Sequence, residues 1–399
     1  MKKNRRIILF ESSLSQAACC AYEAIGRAVA ERRWDLRPIE YNIIDKGVKV
    51  RPMAETPDLN EIVDLWHPDG VIVECAGREP QLPLKSLGNI PVVLLDCNPD
   101  LVDGRLSCAY VDATAIVRAA TSELLSLGLS DYVYAPYLTK TDWSVRRESE
   151  FRRLVTENGC RFHRLEGPSC GGDMILLLQS LTDGIRALPK PCGIFAANDE
   201  MAHYVMMACD NAGVSVPNDV AVVGVDNDLR FCENVAVTLS SVSGDPAAVG
   251  LAAVELLEDK MTNRRKKRVV SRSCSDIKFV RRMSSLRFRN ADAKTLKAIE
   301  FVRLNACFGT TPEAVAREMG CSRRFADRRF VDLLGHTVQE EIHAVRLCKV
   351  KDLLAVPGME LASIPDQCGY GSMSDLCRDF KKRTGMTLTS WRKKAIPYL

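Results

Sequence analysis

Over the first 282 residues, short runs of β-branched and apolar side chains alternate with stretches of helical periodicity. Few folds accept that pattern. A strand that is apolar on both faces must be covered on both, and helical connections between parallel strands provide the cover. Residues 7–10 read as a strand, followed by a helix over 15–32 and strands near 36–41, 70–75 and 91–96, with a helix around 59–66. Behind Asp112, the residues Ile116, Val117, Ala120, Leu124 and Leu127 recur at helical spacing until Gly128 stops them. A second series has strands at 132–135, 160–163, 192–197 and 220–225, with helices near 145–158, 174–188 and 200–211. Two α/β lobes are implied. A strand over 237–242, a helix over 246–261 and a strand over 277–281 come last, so the chain is expected to recross between lobes. The expected lobes are about 1–130 plus 238–262, and 131–237 plus 263–282.

From residue 292 the texture changes to helices punctuated by Gly and Pro, with almost no β-branched runs. An all-α domain over 291–399 is expected, joined by a linker at 283–290 to the α/β domain over 1–282. Charge divides at the same place. From Ser284 onward there are 20 Lys and Arg against 13 Asp and Glu, a net +7, while the preceding chain has 35 basic against 38 acidic residues, a net −3. A weakly acidic body with a basic tail suits contact with a phosphate backbone, where each basic contact releases condensed counterions. A solvated basic helix surface would have the same charge. The basic run 264–268 reads as an exposed turn rather than a DNA arm.

The 16 cysteines stand singly in apolar stretches, as at Cys75, Cys192 and Cys209, and read as reduced core residues rather than a disulfide framework. The apolar run 7–10 stops at Glu11, too short for the core of an export signal or for a membrane span. A cytoplasmic chain without a membrane partner is expected.

In the tail, Gly320-Cys-Ser322 precedes a helix ending at Phe330, and Gly369-Tyr-Gly-Ser372 precedes a helix ending at Phe380. Ser322 to Ser372 and Phe330 to Phe380 are both steps of 50 residues. A serine hydroxyl can accept from an orphan amide of a first helical turn, and glycine can take the positive φ that ends a helix sharply. Helix, tight turn and second helix are therefore expected twice. Phe325, Ala326 and Phe330 are expected to face inward in the first unit, with Leu376 and Phe380 in the second. The opposite faces then offer Arg323, Arg324, Asp327 and Arg328, and Met373, Ser374, Cys377 and Arg378. From the major groove of double-stranded DNA such groups can reach base edges and phosphates. Two such helices can occupy groove segments about 34 Å apart. Pro365 is expected inside the helix before the second turn, where it would cost about 3 kcal/mol and tilt the second reading helix.

Residues 290–394 resemble the DNA-binding domain of the arabinose-regulator (AraC) family. The likeness runs through Val315-Ala316, Gly320, Ser322, Arg328, Phe330, Gly335, Arg346-Leu347, Leu353-Leu354, Ile364, Gly369-Tyr370, Ser372, Leu376, Arg378, Phe380-Lys381-Lys382, Gly385 and Trp391-Arg392. Ala326 and Leu388 depart from it, where the family usually has Leu and Pro. Residues 5–282 resemble the effector domain of lactose-repressor (LacI) type regulators, a two-lobed fold shared with periplasmic sugar-binding proteins. Here the likeness lies in Ala196-Ala-Asn198-Asp199-Glu-Met-Ala202, in Val216-Pro217 through Gly224-Val225-Asp226-Asn227, and in Leu239-Ser-Ser-Val242. The order of the two parts resembles the xylose-operon regulators. These resemblances imply an α/β two-lobed, periplasmic-binding-protein-like domain of parallel sheets followed by an all-α domain with two helix-turn-helix motifs. They imply a transcription regulator acting as a homodimer, with double-stranded DNA, RNA polymerase and a small sugar, such as the pentose xylose, as partners.

Polar groups that end apolar strands project into the crevice at the carboxyl ends of a parallel sheet. Asn198 and Asp199 follow one such strand and Asp226 another, and carboxylates and amides can take paired sugar hydroxyls. Arg147 can donate a fork of hydrogen bonds, and Trp143 can stack on a ring face. The resemblance carries over Arg147, Asn198, Asp226 and Asp112 as effector contacts. Asp199 and Asp112 could equally cap the helices that follow them. Ser12, Ser13 and Glu74 end first-lobe strands and could add contacts. No cofactor or metal site is expected. Nor is an enzyme: the sequence has no Walker loop, GxGxxG, GxSxG, CxxC or HExxH, and its five histidines are isolated. The alternative is a solute-binding protein of a transport system, which would need an export signal and no basic helical tail.

Overall fold

The computed structural model describes residues 4–395 except 13–14, 42–43, 46–47, 50–57, 105, 139–140, 166–172, 234–236, 264–268, 287–292 and 355–358. Ser13 and the basic run 264–268 thus lie outside the described residues. The chain divides into two units, Met1–Arg287 and Phe288–Leu399.

The first unit opens with β1 (Arg6–Glu11), α1 (Gln16–Glu31), β2 (Asp35–Glu40) and a hairpin of β3 (Ile44–Asp45) and β4 (Val48–Lys49). It continues through α2 (Leu59–Trp66), β5 (Gly70–Glu74), β6 (Val92–Leu95), β7 (Ser107–Val111) and α3 (Ala113–Ser126). Next come β8 (Asp131–Ala135), α4 (Asp142–Glu157), β9 (Arg161–Arg164), α5 (Met174–Ala187), β10 (Cys192–Ala196), α6 (Asp199–Ala212) and β11 (Val220–Val225). The short helix α7 (Leu229–Cys232), β12 (Ser240–Ser243), α8 (Pro246–Thr262), β13 (Arg272–Cys274) and β14 (Lys278–Val280) complete it. Two six-stranded sheets result, ordered β13-β7-β6-β5-β1-β2 and β14-β12-β11-β10-β8-β9. All pairings in them are parallel except that of β14 with β12. β5, β10 and β11 are buried along their whole length, the condition their continuous apolar runs require.

Three assignments of elements to lobes differ from the sequence expectation. The apolar stripe of α3, with Ile116, Val117, Ala120 and Leu124, closes on Tyr132, Tyr134 and Phe195, so this helix belongs to the second lobe. β12 pairs with β11 in the second sheet, and β13, which had no sequence counterpart, pairs with β7 in the first. Periodicity marks a strand but not its neighbour. The chain therefore crosses between lobes after β7, after β12 and after β13. These crossings touch: the Asp112 amide donates to the Cys274 carbonyl at 3.1 Å, and a Cβ on Gly244 would lie 2.9 Å from a Val111 methyl.

The expected linker also starts too early. Ser284 and Ser285 are buried in the first unit, where the Ser284 hydroxyl donates to the Val222 carbonyl at 2.6 Å and that of Ser285 to Glu123 at 2.9 Å. Small hydroxyl side chains are compatible with a linker, and equally with a buried polar seam.

The second unit is helical: α9 (Ala293–Asn305), α10 (Pro312–Glu318), α11 (Arg323–Leu334), α12 (Val338–Leu354), α13 (Ile364–Gln367), α14 (Met373–Thr384) and α15 (Leu388–Ala395). Two helix-turn-helix motifs, α10–α11 and α13–α14, are built alike. Ser322 caps α11 through the Phe325 amide at 3.3 Å, and Ser372 caps α14 through the Asp375 amide at 3.1 Å. Gly320 and Gly369 take φ of +64° and +70° in the turns. Pro365 does not interrupt a helix. It sits in the first turn of α13, where its missing N–H would have had no helical partner, so the expected cost and tilt do not arise. Ala326 and Phe330 are buried, but Phe325 is 48% exposed and not part of the inward face. Met373 likewise departs from its expected outward position and packs on the cluster around Leu376 and Phe380. No helix of the described residues is long and apolar enough to cross a membrane.

Candidate functional site

A cleft of about 280 Å³ opens at the carboxyl ends of both sheets in the first unit. The first lobe supplies Ser12, Glu74 and Asp96, the second Tyr137, Trp143, Arg147, Asn198 and Asp226, and Gly244 lies at the second crossing. Ser12, Asp96, Tyr137, Asn198 and Asp226 follow strands that end in the cleft, Glu74 ends one, and Trp143 and Arg147 stand on α4. Asp96 and Asp226 are held at φ of +51° and +103°, a backbone region that residues with a Cβ seldom adopt.

Charge in the cleft is centred on Arg147. Its guanidinium donates to the Ala197 carbonyl and stacks 4.8 Å over the Trp143 ring, and its Nε has no partner among the described residues. Burial raises Asp226 to about 6, with Asp96 adding to the rise and Arg147 opposing it. Burial also raises Asp96, again against the pull of Arg147. Glu74 is pushed up to about 8, chiefly by burial and next by Asp96. Its carboxyl is already engaged, accepting from the Ala76 amide at 2.7 Å, the Ser12 amide at 3.2 Å and the Ser12 hydroxyl. The cleft thus offers two carboxyl groups and a guanidinium beside an indole, and Glu74 is a wall rather than a free acceptor.

The lobes meet beside the cleft. Trp143 lies so close to Gly77 that a Cβ there would come within 2.5 Å of the indole, and Arg146 pairs with Asp100 at 3.0 Å. Tyr137 packs on Trp143 with ring centroids 5.1 Å apart.

Of the effector contacts expected from sequence, the fold brings Trp143, Arg147, Asn198 and Asp226 together in the cleft lining. Asn198 also caps α6, accepting from the Met201 amide at 3.0 Å. Asp112 does not line the cleft; it caps α3 through the Thr114 and Ala115 amides at 2.9 and 3.1 Å. Asp199 points the other way. Its carboxyl is buried and accepts from the Ser241 hydroxyl at 2.7 Å, the Asp228 amide at 2.8 Å and the Cys232 thiol at 3.4 Å. Asp96, Arg78 and Tyr137 were missed. Asp96 had the same signal as Asp226, a polar residue directly after an apolar strand, whereas Arg78 and Tyr137 follow strands by several residues and had none. Among the described residues no group of three His, Cys, Asp or Glu is placed to hold a metal ion.

On the helical unit, Arg324 and Arg328 are exposed along one side of α11 without an ion-pair partner among the described residues. Arg323 is exposed but pairs with Glu313 at 2.5 Å. Asp327 faces the fold, accepting from the Val338 amide at 3.1 Å at the start of α12. On α14, Ser374, Cys377 and Arg378 are exposed, and Arg378 pairs with Asp375 at 2.5 Å. The exposed cationic side is therefore narrower than the sequence suggested.

Comparison with known proteins agrees with this division. The family described as periplasmic binding protein-like domain matches residues 121–285, and a helix-turn-helix domain family matches residues 315–394. The xylose operon regulatory protein of Escherichia coli strain K12 is 26% identical over 400 residues, covering 98% of this chain and 97% of that one. Its namesake in Haemophilus influenzae is 28% identical over 284 residues, with 70% and 73% covered. Among solved structures, that of the xylose-binding transcription activator xylR shares the fold at a TM-score of 0.65 and 23% identity, over 98% of this chain and 99% of that one. A LacI family regulator from Enterococcus faecium with bound ribose matches at a TM-score of 0.54 and 17% identity, over 70% of this chain and 98% of that one. The chain thus joins a periplasmic-binding-protein-like α/β domain to an AraC-type helix-turn-helix domain, the architecture of the xylose operon regulatory proteins.

Proposed function

We propose that this protein is a transcription regulator that binds double-stranded DNA through α11 and α14 and responds to a small neutral sugar, a pentose such as xylose, held between its lobes. One observation supports the sugar reading above others: Arg147, Asp96 and Asp226 converge beside Trp143 at the carboxyl ends of two sheets. Paired hydroxyls can donate to the carboxylates and accept from the guanidinium, while the indole covers an apolar ring face. Arg147, Asn198, Asp226 and Trp143 are the effector contacts in this reading, with Asp96 added. On the DNA side the contacts are Arg324, Arg328, Ser374, Cys377 and Arg378.

The effector acts by preferring one lobe arrangement, since a ligand shifts an equilibrium only through unequal affinity for its states. In a homodimer that preference alters how paired helical units engage DNA and polymerase. A DNA-bound regulator works in the cytoplasm and needs no catalytic group. Calorimetric titration with pentoses, hexoses, nucleosides and amino acids tests the effector class: a pentose should bind, and binding of nucleosides or amino acids alone would discard the sugar. For the DNA side, Arg324→Ala and Arg328→Ala should each weaken promoter binding and flatten its salt dependence by about one unit of slope. Unchanged footprints from both would remove α11 from the interface.

A further inference from the structure

The first reading helix has an aromatic ring that the core does not use. Phe325 is 48% exposed, and the inward positions of α11 are filled by Ala326 and Phe330, both fully buried. The ring stands in the first turn of α11, one residue from Arg324 and three from Arg328, both exposed. Val331, at 45% exposure, lies about two turns beyond Arg324 on that residue's side of the helix. Nothing in the capping of α11 needs a ring at this position. Fifty residues on, the matching position is Asp375, whose carboxylate takes the Ser372 hydroxyl at 2.8 Å and Arg378. The two motifs share a serine cap and a buried phenylalanine, yet differ here between a carboxylate tied to its own helix and an exposed phenyl ring.

We infer that Phe325 reads a base, its ring packing on the 5-methyl group of a thymine in the major groove beside the guanine or phosphate engaged by Arg324 and Arg328. The inference rests on the reading of α11 as a DNA-facing helix. Thymine alone among the four bases presents an alkyl group in the major groove, and apolar side chains recognise it by covering it. The two neighbouring cations argue for an anionic occupant of this surface, and a guanidinium cannot tell a methyl group from its absence. The ring therefore adds a distinction that the arginines cannot make. α14 lacks it, so the two helices would read unlike sequences.

The test uses the full-length protein to select binding sites from random DNA amplified once with thymidine and once with deoxyuridine, which lacks only the methyl group. The unmodified protein should enrich thymine at one position, and uracil there should lower affinity about fourfold, equivalent to the ~0.8 kcal/mol of one buried methylene-sized group. Phe325→Ala should bind the thymine and uracil sites alike while keeping the rest of the motif, and Phe325→Leu should retain part of the preference. Equal affinity of the unmodified protein for both sites, or a preference that survives in Phe325→Ala, overturns the inference. If the unmodified protein enriches no sequence from either pool, the DNA-facing reading of α11 fails first, an outcome distinct from a wrong role for the ring.

Discussion

Replacing Asp199 by asparagine separates a buried structural acid from a ligand contact. In the folded chain burial, and next the charge of Asp226, push this carboxyl up to about 8, whereas an unfolded aspartate titrates near 3.9. Between those values the folded chain holds a proton that the unfolded chain has released. Stability from this group is therefore complete below the unfolded value and is lost as pH rises toward the folded one, by about 1.4 kcal/mol per pH unit. From pH 5.5 to 7.5 the loss is about 2.7 kcal/mol. Asparagine has no such proton, so Asp199→Asn should make the slope of stability against pH less negative by about 1.4 kcal/mol per unit. Urea denaturation at pH 5.5, 6.5 and 7.5, followed by the fluorescence of Trp34, Trp66 and Trp143, measures it. Glu74 is also raised, but it remains in both proteins and cancels in the difference. Sugar affinity should stay within about threefold, because the carboxyl is occupied by Ser241, Asp228 and Cys232. Parallel stability slopes would refute the buried neutral carboxyl, and a tenfold loss of sugar binding would return Asp199 to the cleft.

Arg147→Met should weaken sugar binding roughly 10- to 100-fold, the loss of about 1.5–3 kcal/mol for a charge-assisted hydrogen bond, and calorimetry showing less than threefold would remove Arg147 from the contact set. Because Asp226 is raised to about 6 and its ionised form is the stronger acceptor for a hydroxyl, sugar affinity should fall as pH drops from 7 to 5. Asp226→Asn should abolish that dependence, and an unaltered pH profile would assign the titration elsewhere. Gly369→Ala should destabilise the helical unit by about 1–3 kcal/mol, since φ is +70° and the new Cβ would lie 2.6 Å from the Cys307 carbonyl. A thermal melt of that unit's circular dichroism, unmoved by the change, would contradict the turn geometry.

The parts of this fold that could be read from residues alone are those set by local rules. β10 and β11 announce themselves as apolar runs because both of their faces are covered, and Ser322 and Ser372 announce helix starts because capping is a contact across three residues. What could not be read depends on distant partners. β12 might join either sheet on periodicity, and only its pairing with β11 decides. Asp199 and Asp226 both follow apolar strands, yet Ser241 and Cys232 draw one carboxyl inward while the positive φ of the other turns it to the cleft. Phe325 has the apolar side chain of an inward residue, but Ala326 and Phe330 already fill the space. Pro365 is disruptive inside a helix but not at its start, and the start of α13 is set by contacts outside the local sequence.

Three backbone segments running side by side, at Val111–Asp112, Gly244 and Cys274, connect the lobes. A joint with three ribs bends more readily than it slides or twists, so opening and closing would follow a single path. At Gly244 that path passes a methyl of Val111, and any larger residue there would act as a wedge. Such a substitution would hamper the motion at the joint and, because Gly244 also lines the cleft, would weaken sugar binding together with the response.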